Sequence, residues 1–301
     1  MGKTKVELEK LMNNIWSTYL QKIGTLYYSR QLRFSDVLKE NYLKAFAIDD
    51  KKSILEVGFG PGALSQSLNR WYPNAKITGV DRDSTFVEFA RQKSPNISFV
   101  EGDATNLPFE NEIFDATISY TVQEHIEPSK FFVEQFRVLK HNGVCLVLSA
   151  RRGINIKAPC ILEESDFEKE IYSRIDIERY SNEVHEKYNV GAYSLTETEL
   201  PQTMAKYGFK NVSVEYIVIN LTPDNPTTPK ETAYAIINAN RQNDLDGVDS
   251  YAAPNAIKAD EIEELKRLIN AKYDERLRLY DAGIKQWDTN VSITMVLRGV
   301  K

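Results

Sequence analysis

The stretch ILEVGFGPGALSQSL, residues 54–68, decides the fold of this chain. It begins with a largely apolar run, typical of a short buried strand, and ends with the spacing of an amphipathic helix. Between them lie Gly58, Gly60 and Gly62. Glycines favour a turn at which a ligand approaches the backbone closely, because no side chain blocks it. The same pattern also fits a tight turn that holds no ligand.

Strand-like and helix-like segments alternate from Ser53 to Ala150. Strands are predicted at SILEVG, AKITGVD, ISFVEGD, FDATISY and GVCLVLSA, with helices after the first, second and fourth. NVSVEYIVINL and NVSITMVLRGV bring the predicted number of strands to seven. The alternation predicts an α/β fold with a doubly wound, mostly parallel sheet, which binds ligands at the C-terminal ends of its strands.

The segments outside this core predict additions to it. Residues 1–50 are expected to be helical, because Leu8, Leu11 and Ile15 recur at helical spacing and FSDVLKENYLKAFA follows. LYYSRQLRF, between these helices, can form a lid or an ordinary helix on the sheet. The predicted core is 51–221 and 289–301, with a polar, tyrosine-rich insertion at 151–195. A helical cap is predicted at 222–288, where KADEIEELKRLINAKYDERLRLY is amphipathic.

The composition narrows the function. A net charge of −5 argues against a general nucleic-acid binder, and 42% hydrophobic residues suffice for a sizeable core. Cys145 and Cys160 are too few for a disulfide framework or a thiolate metal site, so no metal is expected. No apolar run is long enough to span a bilayer, and the charged N-terminus is unlike a secretory signal. These features predict a cytoplasmic protein.

The glycine turn alone fits two cofactors. Gly58, Gly60 and Ala63 satisfy the dinucleotide fingerprint, and Asp81 ends the second strand, where a nicotinamide enzyme has an acid. Glu56 favours a cationic sulfonium amino acid over a dinucleotide as the cofactor. A carboxylate beside the turn repels a pyrophosphate but not a sulfonium.

Further motifs follow in a fixed order. EVGFGPG, the strand ending in Asp81, EGDATNLPF, FDATISY and LKHNGV together resemble the successive motifs of class I S-adenosylmethionine-dependent methyltransferases. The likeness is greatest to the small-molecule group that includes the ubiquinone-biosynthesis C-methyltransferases, and it covers roughly residues 50–150. It implies a Rossmann-like core that binds S-adenosylmethionine and methylates O, N or C of a small organic acceptor. HNGV departs from the family's usual proline and two glycines at a turn.

The resemblance also implies roles for individual residues. Glu56, Gly58 and Gly60 would surround the methionine part of the cofactor. Asp81 would bind both ribose hydroxyls, and Arg82 would lie against the adenine. Asp103 would accept from the adenine amino group, and the Ala104 backbone would meet a ring nitrogen. Ser119 and Tyr120 would line the path to the methyl group. Asp81 and Asp103 also have the alternative of simply capping the next helix or turn.

The residues that contact the methyl acceptor are predicted from the sequence itself and not from the resemblance. A base is needed only if the acceptor must lose a proton, and His125, with Glu124 beside it, is the candidate; the alternative is that this histidine braces its loop. Contacts with the acceptor are expected from the lid, the end of the fifth strand and the insertion, through Tyr27, Tyr28, Arg30, Arg151 and Tyr193.

Two other function classes stay open at this point. The first is a nicotinamide-dependent oxidoreductase, which Glu56 disfavours. The second is a cofactor-binding protein without catalysis that acts on a partner through the cap. The amphipathic helix in 222–288 also predicts a homodimer through that cap.

Overall fold

The computed structural model of the protein describes residues 14–301, except for the side chains of residues 152–154 and 253. The part of the first predicted helix that contains Leu8 and Leu11 lies outside the described residues. The described chain begins with a short helical segment, Trp16–Leu20.

A seven-stranded sheet forms the centre of the described chain. Its strands are β1 (Ser53–Val57), β2 (Lys76–Asp81), β3 (Ser98–Glu101), β4 (Phe114–Tyr120), β5 (Leu139–Ala158), β6 (Lys210–Leu221) and β7 (Thr289–Val300). They lie in the order β3-β2-β1-β4-β5-β7-β6, and all pairs among β1–β5 are parallel. The predicted α/β class is confirmed.

The sheet is mixed, because β7 runs antiparallel to both of its neighbours, β5 and β6. The chain leaves β6, passes through the cap and returns beside β6, and an antiparallel return needs no crossover to the opposite end of the sheet. The described half around β1–β5 keeps the parallel arrangement, whose strand ends meet at one edge.

Ten α-helices occur in the described part of the chain. They are α1 (Ile23–Arg33), α2 (Lys39–Phe46), α3 (Ala63–Trp71), α4 (Ser84–Lys93), α5 (Pro128–Val138), α6 (Asp166–Arg174), α7 (Ile177–Lys187), α8 (Glu199–Lys206), α9 (Lys230–Tyr251) and α10 (Ala259–Asp281). α1 takes up most of LYYSRQLRF, so this segment forms a helix. β5 continues eight residues past the predicted strand end at Ala150, to Ala158.

α9 has no counterpart in the sequence analysis. Its buried residues include Ala233, Ile236, Ile237 and Val248, while much of the rest of the helix is polar. Because α9 has few large apolar residues, its sequence shows no clear amphipathic pattern. The helix is stabilised by packing against its neighbours.

α9 and α10 pack against each other over the end of the sheet. Leu265, Ile269 and Tyr273 of α10 belong to one buried cluster with Ile237 and Val248 of α9. The apolar side of the amphipathic helix is thus covered within the chain. No helix of the described residues is both long and apolar enough to cross a membrane.

A buried ion network ties this cap to the strands. The Arg276 guanidinium of α10 is fully buried, and its Nη2 lies 2.9 Å from Asp224 Oδ2 and 2.6 Å from Asp288 Oδ1. Asp224 follows β6 and Asp288 precedes β7. A buried charge is tolerated when it is paired and hydrogen-bonded, so these contacts fix the position of α10 at this end of the sheet.

Candidate active site

A cavity of about 270 Å³ lies at the C-terminal ends of β1–β4. α1 and the segment Trp16–Gln21 contribute to its walls, and Tyr193 of the insertion reaches it. The predicted site residues that line it are Arg30, Glu56, Gly58, Gly60, Asp81, Arg82, Asp103, Ala104, Tyr120, His125 and Tyr193. Residues predicted from six separate stretches of the sequence therefore meet in one cavity.

The glycine turn between β1 and α3 has a left-handed backbone. Gly58, Gly60 and Gly62 have φ values of +71°, +55° and +85°. A Cβ atom on Gly58 would lie 2.4 Å from Cγ2 of Val122, in the loop after β4. Glycine is thus required at position 58 both by its φ angle and by the close approach of a second loop.

Glu56 is buried at the end of β1, beside this turn. The Ser65 hydroxyl of α3 donates a short hydrogen bond to Glu56 Oε2. Burial raises the pKa of Glu56 to about 8, and the nearby Asp81 charge acts in the same direction. A carboxyl group held near neutrality in this way can gain a full negative charge when a cation binds next to it.

Asp81 holds the glycine turn in place. Its Oδ2 accepts from the Gly60 N–H at 2.8 Å, and its Oδ1 accepts from the Asp83 N–H at 2.9 Å. Burial raises its pKa to about 6 against these two hydrogen bonds. The N-cap of α4 is Asp83, so Asp81 does not cap that helix, although its bond with the Asp83 N–H braces the turn after β2. Each Asp81 oxygen keeps a second lone pair for another donor.

Asp103 braces its own turn and also lines the cavity. Its Oδ1 accepts from the Thr105 N–H at 2.7 Å and from the Thr105 hydroxyl at 2.8 Å, which braces the turn after β3. The residue is exposed and lines the cavity with Ala104 and, from the neighbouring loop, Arg82. Bracing through one oxygen leaves the other available to a ligand.

His125 has a fixed hydrogen-bond role. The Gly191 N–H donates to His125 Nδ1 at 2.9 Å, so Nδ1 carries no proton. Burial lowers the pKa of His125 to about 4, with the Arg82 and His185 charges adding to this effect. A neutral imidazole that accepts at Nδ1 has its proton on Nε2. His125 is therefore a donor in this arrangement, and its contact with Gly191 fits the alternative that this histidine braces its loop.

Ser119 and Tyr120, at the end of β4, have opposite orientations. Tyr120 lines the cavity, while Ser119 is fully buried and does not line it. Adjacent residues of a strand point to opposite faces of the sheet, so only one of the two can face the ligand. The prediction that both line the path to the methyl group is corrected for Ser119.

The three predicted residues of α1 have separate positions. Arg30 lies with its guanidinium carbon 4.3 Å from the centroid of the Tyr120 ring. The buried Tyr27 bonds to Gln66 Oε1 and does not line the cavity. Tyr28 is exposed and lines a second pocket, between α1 and α9. Helical geometry places only one of these three side chains toward the strand ends.

The insertion contacts the loop after β4 through its backbone. The Tyr193 N–H donates to the Glu124 carbonyl at 3.0 Å, and Gln123 Nε2 donates to the Tyr193 carbonyl at 3.2 Å. Arg151 instead donates to the Leu195 carbonyl at 2.9 Å and lies 3.5 Å from Glu197. Neither Arg151 nor Glu124 lines the cavity, and Arg151 contacts the insertion instead.

The charges around the cavity favour a cationic ligand. The acidic residues that line it are Glu56, Asp81, Asp83, Asp103 and Glu127, against the basic residues Arg30, Arg82 and Lys130. Four of the acids lie around the glycine turn and the ends of β2 and β3, with Arg82 among them, while Glu127 pairs with Lys130 after β4. One end of the cavity can thus attract a positive charge.

The family comparison agrees with the position of this site. Residues 55–147 match the model of a methyltransferase domain. The chain carries a methyltransferase domain. Demethylmenaquinone methyltransferase of Thermotoga maritima is 28% identical over 148 residues, which are 49% of this chain and 63% of that protein. Fatty-acid O-methyltransferase of Mycolicibacterium smegmatis is 36% identical over 109 residues, 35% of this chain and 39% of that protein.

The matched stretches thus span less than two thirds of these curated relatives. Among solved structures, phosphoethanolamine N-methyltransferase 2 of Haemonchus contortus, in complex with S-adenosyl-L-methionine, has a TM-score of 0.52 and 17% identity. That match covers 96% of this chain and 60% of the other. It shows that the methyltransferase domain and its additions share a fold with that protein.

Several residues at the cavity were not found by sequence reasoning. Trp16 lies with its ring centroid 4.6 Å from that of His125, and the Ser17 N–H donates to Asp83 Oδ2 at 2.9 Å. The sequence DST, residues 83–85, signals a helix N-cap, so Asp83 could have been found beside the methyltransferase motifs. Nothing in the sequence signals that Trp16 reaches this site.

Metal binding has no support among the described side chains. No group of three or more His, Cys, Asp or Glu side chains there is arranged to hold a metal ion.

Proposed function

We propose that this protein transfers a methyl group from S-adenosylmethionine to a small organic acceptor. The observation that carries the proposal is the convergence of Glu56, the glycine turn and Asp81 on one cavity at the strand ends, within the methyltransferase domain. The relatives methylate quinone-type, fatty-acid and phosphoethanolamine compounds by name, and the acceptor atom here is O, N or C.

The cavity's groups fit the cofactor. Glu56 can accept from the ammonium of the methionine part, next to a turn that no side chain obstructs. The remaining lone pairs of Asp81 can accept from the two ribose hydroxyls. Asp103 has one carboxylate oxygen outside its turn for the adenine amino group, with Ala104 and Arg82 beside it. We assign these residues to the cofactor on this basis.

When bound, S-adenosylmethionine supplies a methyl group on a sulfonium that a lone pair of the acceptor can displace. The protein's contribution is alignment at close range, which supplies much of the rate of such a displacement. Tyr120 and His125 lie on the acceptor side with donor groups, and Trp16 covers His125. We assign Tyr120 and His125 to positioning the acceptor and not to proton removal, because Nδ1 of His125 is already occupied.

An oxidoreductase is the main alternative, and calorimetry separates the two. We expect S-adenosylhomocysteine to bind and NAD to bind much more weakly, because the buried Glu56 carboxyl gains an attractive charge beside an ammonium and cannot do so beside a pyrophosphate. Tighter binding of NAD would overturn the proposal. Transfer of label from methyl-labelled S-adenosylmethionine to the small-molecule fraction of a cell extract then tests catalysis. Cofactor binding without any transfer would favour a non-catalytic binding protein.

We also propose that residues 1–50 and the insertion at 151–195 form a lid over the core domain. Support comes from contacts between them: the rings of Tyr19 and Tyr188 stack with centroids 5.3 Å apart, and Trp16 and Gly191 both contact His125. Closing segments of this kind exclude water and complete a site. Hydrogen exchange of Trp16–Leu20 and of residues 188–194 should slow when S-adenosylhomocysteine binds. Equal exchange with and without it would make these segments static walls.

The remaining predictions concern assembly and location. A homodimer through residues 222–288 stays a prediction, although the apolar side of α10 is already buried within the chain. A cytoplasmic location is supported by Cys145 and Cys160, which are both free thiols. Sedimentation and fractionation of the native protein test these two points.

A further inference from the structure

Arg30 of α1 lines the cavity, and Arg33 lies one turn further along the same helix. Arg30 Nη2 donates to the Thr121 hydroxyl at 3.1 Å, and Arg33 Nη1 donates to the Ser292 hydroxyl. Among the described side chains, no carboxylate lies within 4.0 Å of either guanidinium. Both cations are thus held by neutral hydroxyls.

Among the described residues, this arrangement leaves the positive charges of Arg30 and Arg33 without a carboxylate at ion-pair distance. Burial lowers the pKa of Arg30; the Arg33 charge adds to this effect, and Tyr120 and Glu124 act against it. Glu124 acts on Arg30 from beyond ion-pair distance. A partly desolvated guanidinium is costly unless an anion approaches it, and its planar fork is suited to a pair of oxygens. In the described part of the chain, one hydrogen bond uses the five guanidinium donors of Arg30.

Neighbouring hydroxyls add donors at the same place. The Tyr120 hydroxyl is buried and has no hydrogen-bond partner among the described residues. Tyr120 and Thr121 both line the cavity beside Arg30. The Thr121 hydroxyl accepts from Arg30, so its own proton is available to a ligand.

The backbone is strained at Thr121, the residue whose hydroxyl accepts from Arg30. Its φ is +53°, which a β-branched residue rarely adopts. The Thr121 N–H bonds to the Leu148 carbonyl of β5 at 2.9 Å, which holds the residue in this conformation. Strained backbone of this kind persists where the surroundings fix it, and it is concentrated at ligand sites.

We infer that Arg30, Tyr120 and Thr121 form a subsite for an anionic oxygen group of the acceptor, of the carboxylate or phosphate class. This inference rests on the proposed function, because it names the chemistry of the group that the acceptor carries. The subsite lies at the end of β4, which adjoins the glycine turn because Val57 of β1 pairs with Ser119 of β4.

The test compares matched acids and neutral analogues on the full chain saturated with S-adenosylhomocysteine. The probes are benzoate against benzamide, octanoate against octanamide, and phenyl phosphate against phenol, measured by calorimetry. We expect at least one acid to bind about tenfold or more tightly than its neutral analogue, since charge-assisted hydrogen bonds differ by that much. The benzoate and phenyl phosphate arms distinguish carboxylate from phosphate. Equal binding of every pair, or no binding of any acid, overturns the inference.

Variants locate the effect. Arg30→Met should abolish the preference for the acid, Arg30→Lys should keep part of it, and Tyr120→Phe should weaken it. The matched control is Arg70→Met, because Arg70 is a half-exposed arginine of α3 paired with Asp36, and this change should leave the preference unchanged. A preference that survives in Arg30→Met overturns the inference.

Binding of S-adenosylhomocysteine shows that each variant is folded. It also separates two failures. If the wild-type protein binds S-adenosylhomocysteine but does not prefer the acids, only the subsite is contradicted. A wild-type protein that binds no S-adenosylhomocysteine contradicts the proposed function.

Discussion

The two ends of the cavity are built in different ways. The cofactor end consists of one glycine turn and the adjacent end of β2, joined by the hydrogen bonds of Asp81 to two backbone N–H groups. The acceptor end consists of side chains from α1, the loop after β4 and the insertion, which meet through a few long-range contacts. The first end is set by local backbone geometry, while the second depends on how distant segments dock. Changes at the first should therefore affect binding and folding together, and changes at the second should affect rate and specificity.

The largest effect is expected where the two ends touch, at Gly58→Ala. The new Cβ would lie 2.4 Å from Val122 Cγ2, in the loop that carries His125. Overpacking of this kind costs about 1–3 kcal/mol of unfolding free energy, and the left-handed backbone adds roughly 1 kcal/mol. S-adenosylhomocysteine binding should be lost with it. Urea unfolding and calorimetry measure the two effects.

Gly247→Ala is the control for this change. Gly247 lies inside α9, and a Cβ there meets no atom within 4 Å. The same substitution should raise the unfolding free energy by about 0.5–1 kcal/mol. If Gly58→Ala were as harmless as Gly247→Ala, the close contact between the two ends of the cavity would be absent in solution.

The second-largest expected effect is a difference in cofactor affinity between the Asp81→Ala and Asp103→Ala variants. Asp81→Ala removes the acceptor of two backbone N–H groups as well as the proposed ribose ligand, so affinity for S-adenosylhomocysteine should fall at least about tenfold. Some loss of stability should accompany it, since the Gly60 N–H loses its partner. Asp103→Ala removes an exposed side chain that braces only its own turn, and a smaller change is expected. Equal losses in calorimetry would contradict the distinction.

The sequence allowed the cofactor end to be predicted almost completely. Glu56, the glycines and Asp81 lie close in sequence or at consecutive strand ends, so strand–helix alternation alone brings them together. The acceptor end was predicted only in part. Arg30 and His125 were named, but Thr121 and Trp16 were not, because their roles follow from contacts between segments far apart in the chain. His125 meets Gly191 across 66 positions, and this contact favours the loop brace over the base among its two predicted roles.

A third, smaller effect is a pH dependence at the cofactor end. The pKa of Glu56 rises from 4.5 in a model peptide to about 8 in the folded protein, chiefly through burial. Between these two pH values the folded state keeps a proton that the unfolded state has lost. The unfolding free energy contributed by Glu56 therefore falls as the pH rises through this window.

Urea unfolding of the wild type and of Glu56→Gln, at about pH 5.5 and about pH 8, measures this dependence. The wild type should lose stability relative to Glu56→Gln between the two. Glu127→Gln is the control, because hydrogen bonds from Ser129 and Lys130 lower the pKa of the exposed Glu127, which is ionised throughout this range. S-adenosylhomocysteine should reduce the slope, since its ammonium favours ionised Glu56. A slope that is the same in wild type and Glu56→Gln would contradict the burial of this charge.

The smallest effect is expected from His125→Asn, at the acceptor end. The asparagine carbonyl can replace Nδ1 as the acceptor for the Gly191 N–H, so the insertion should stay docked. If His125 only positions groups, the rate of label transfer should fall by less than about tenfold, whereas removal of a general base typically costs about 10²–10⁴-fold. His125→Leu has no acceptor, and it should lower the rate further while the Gly191 amide exchanges faster. A rate loss above about a hundredfold in His125→Asn, with Gly191 still protected, would restore His125 as the base. That result would mean that the acceptor end carries chemistry as well as alignment, and that the imidazole exchanges its Gly191 contact for the proton of the acceptor.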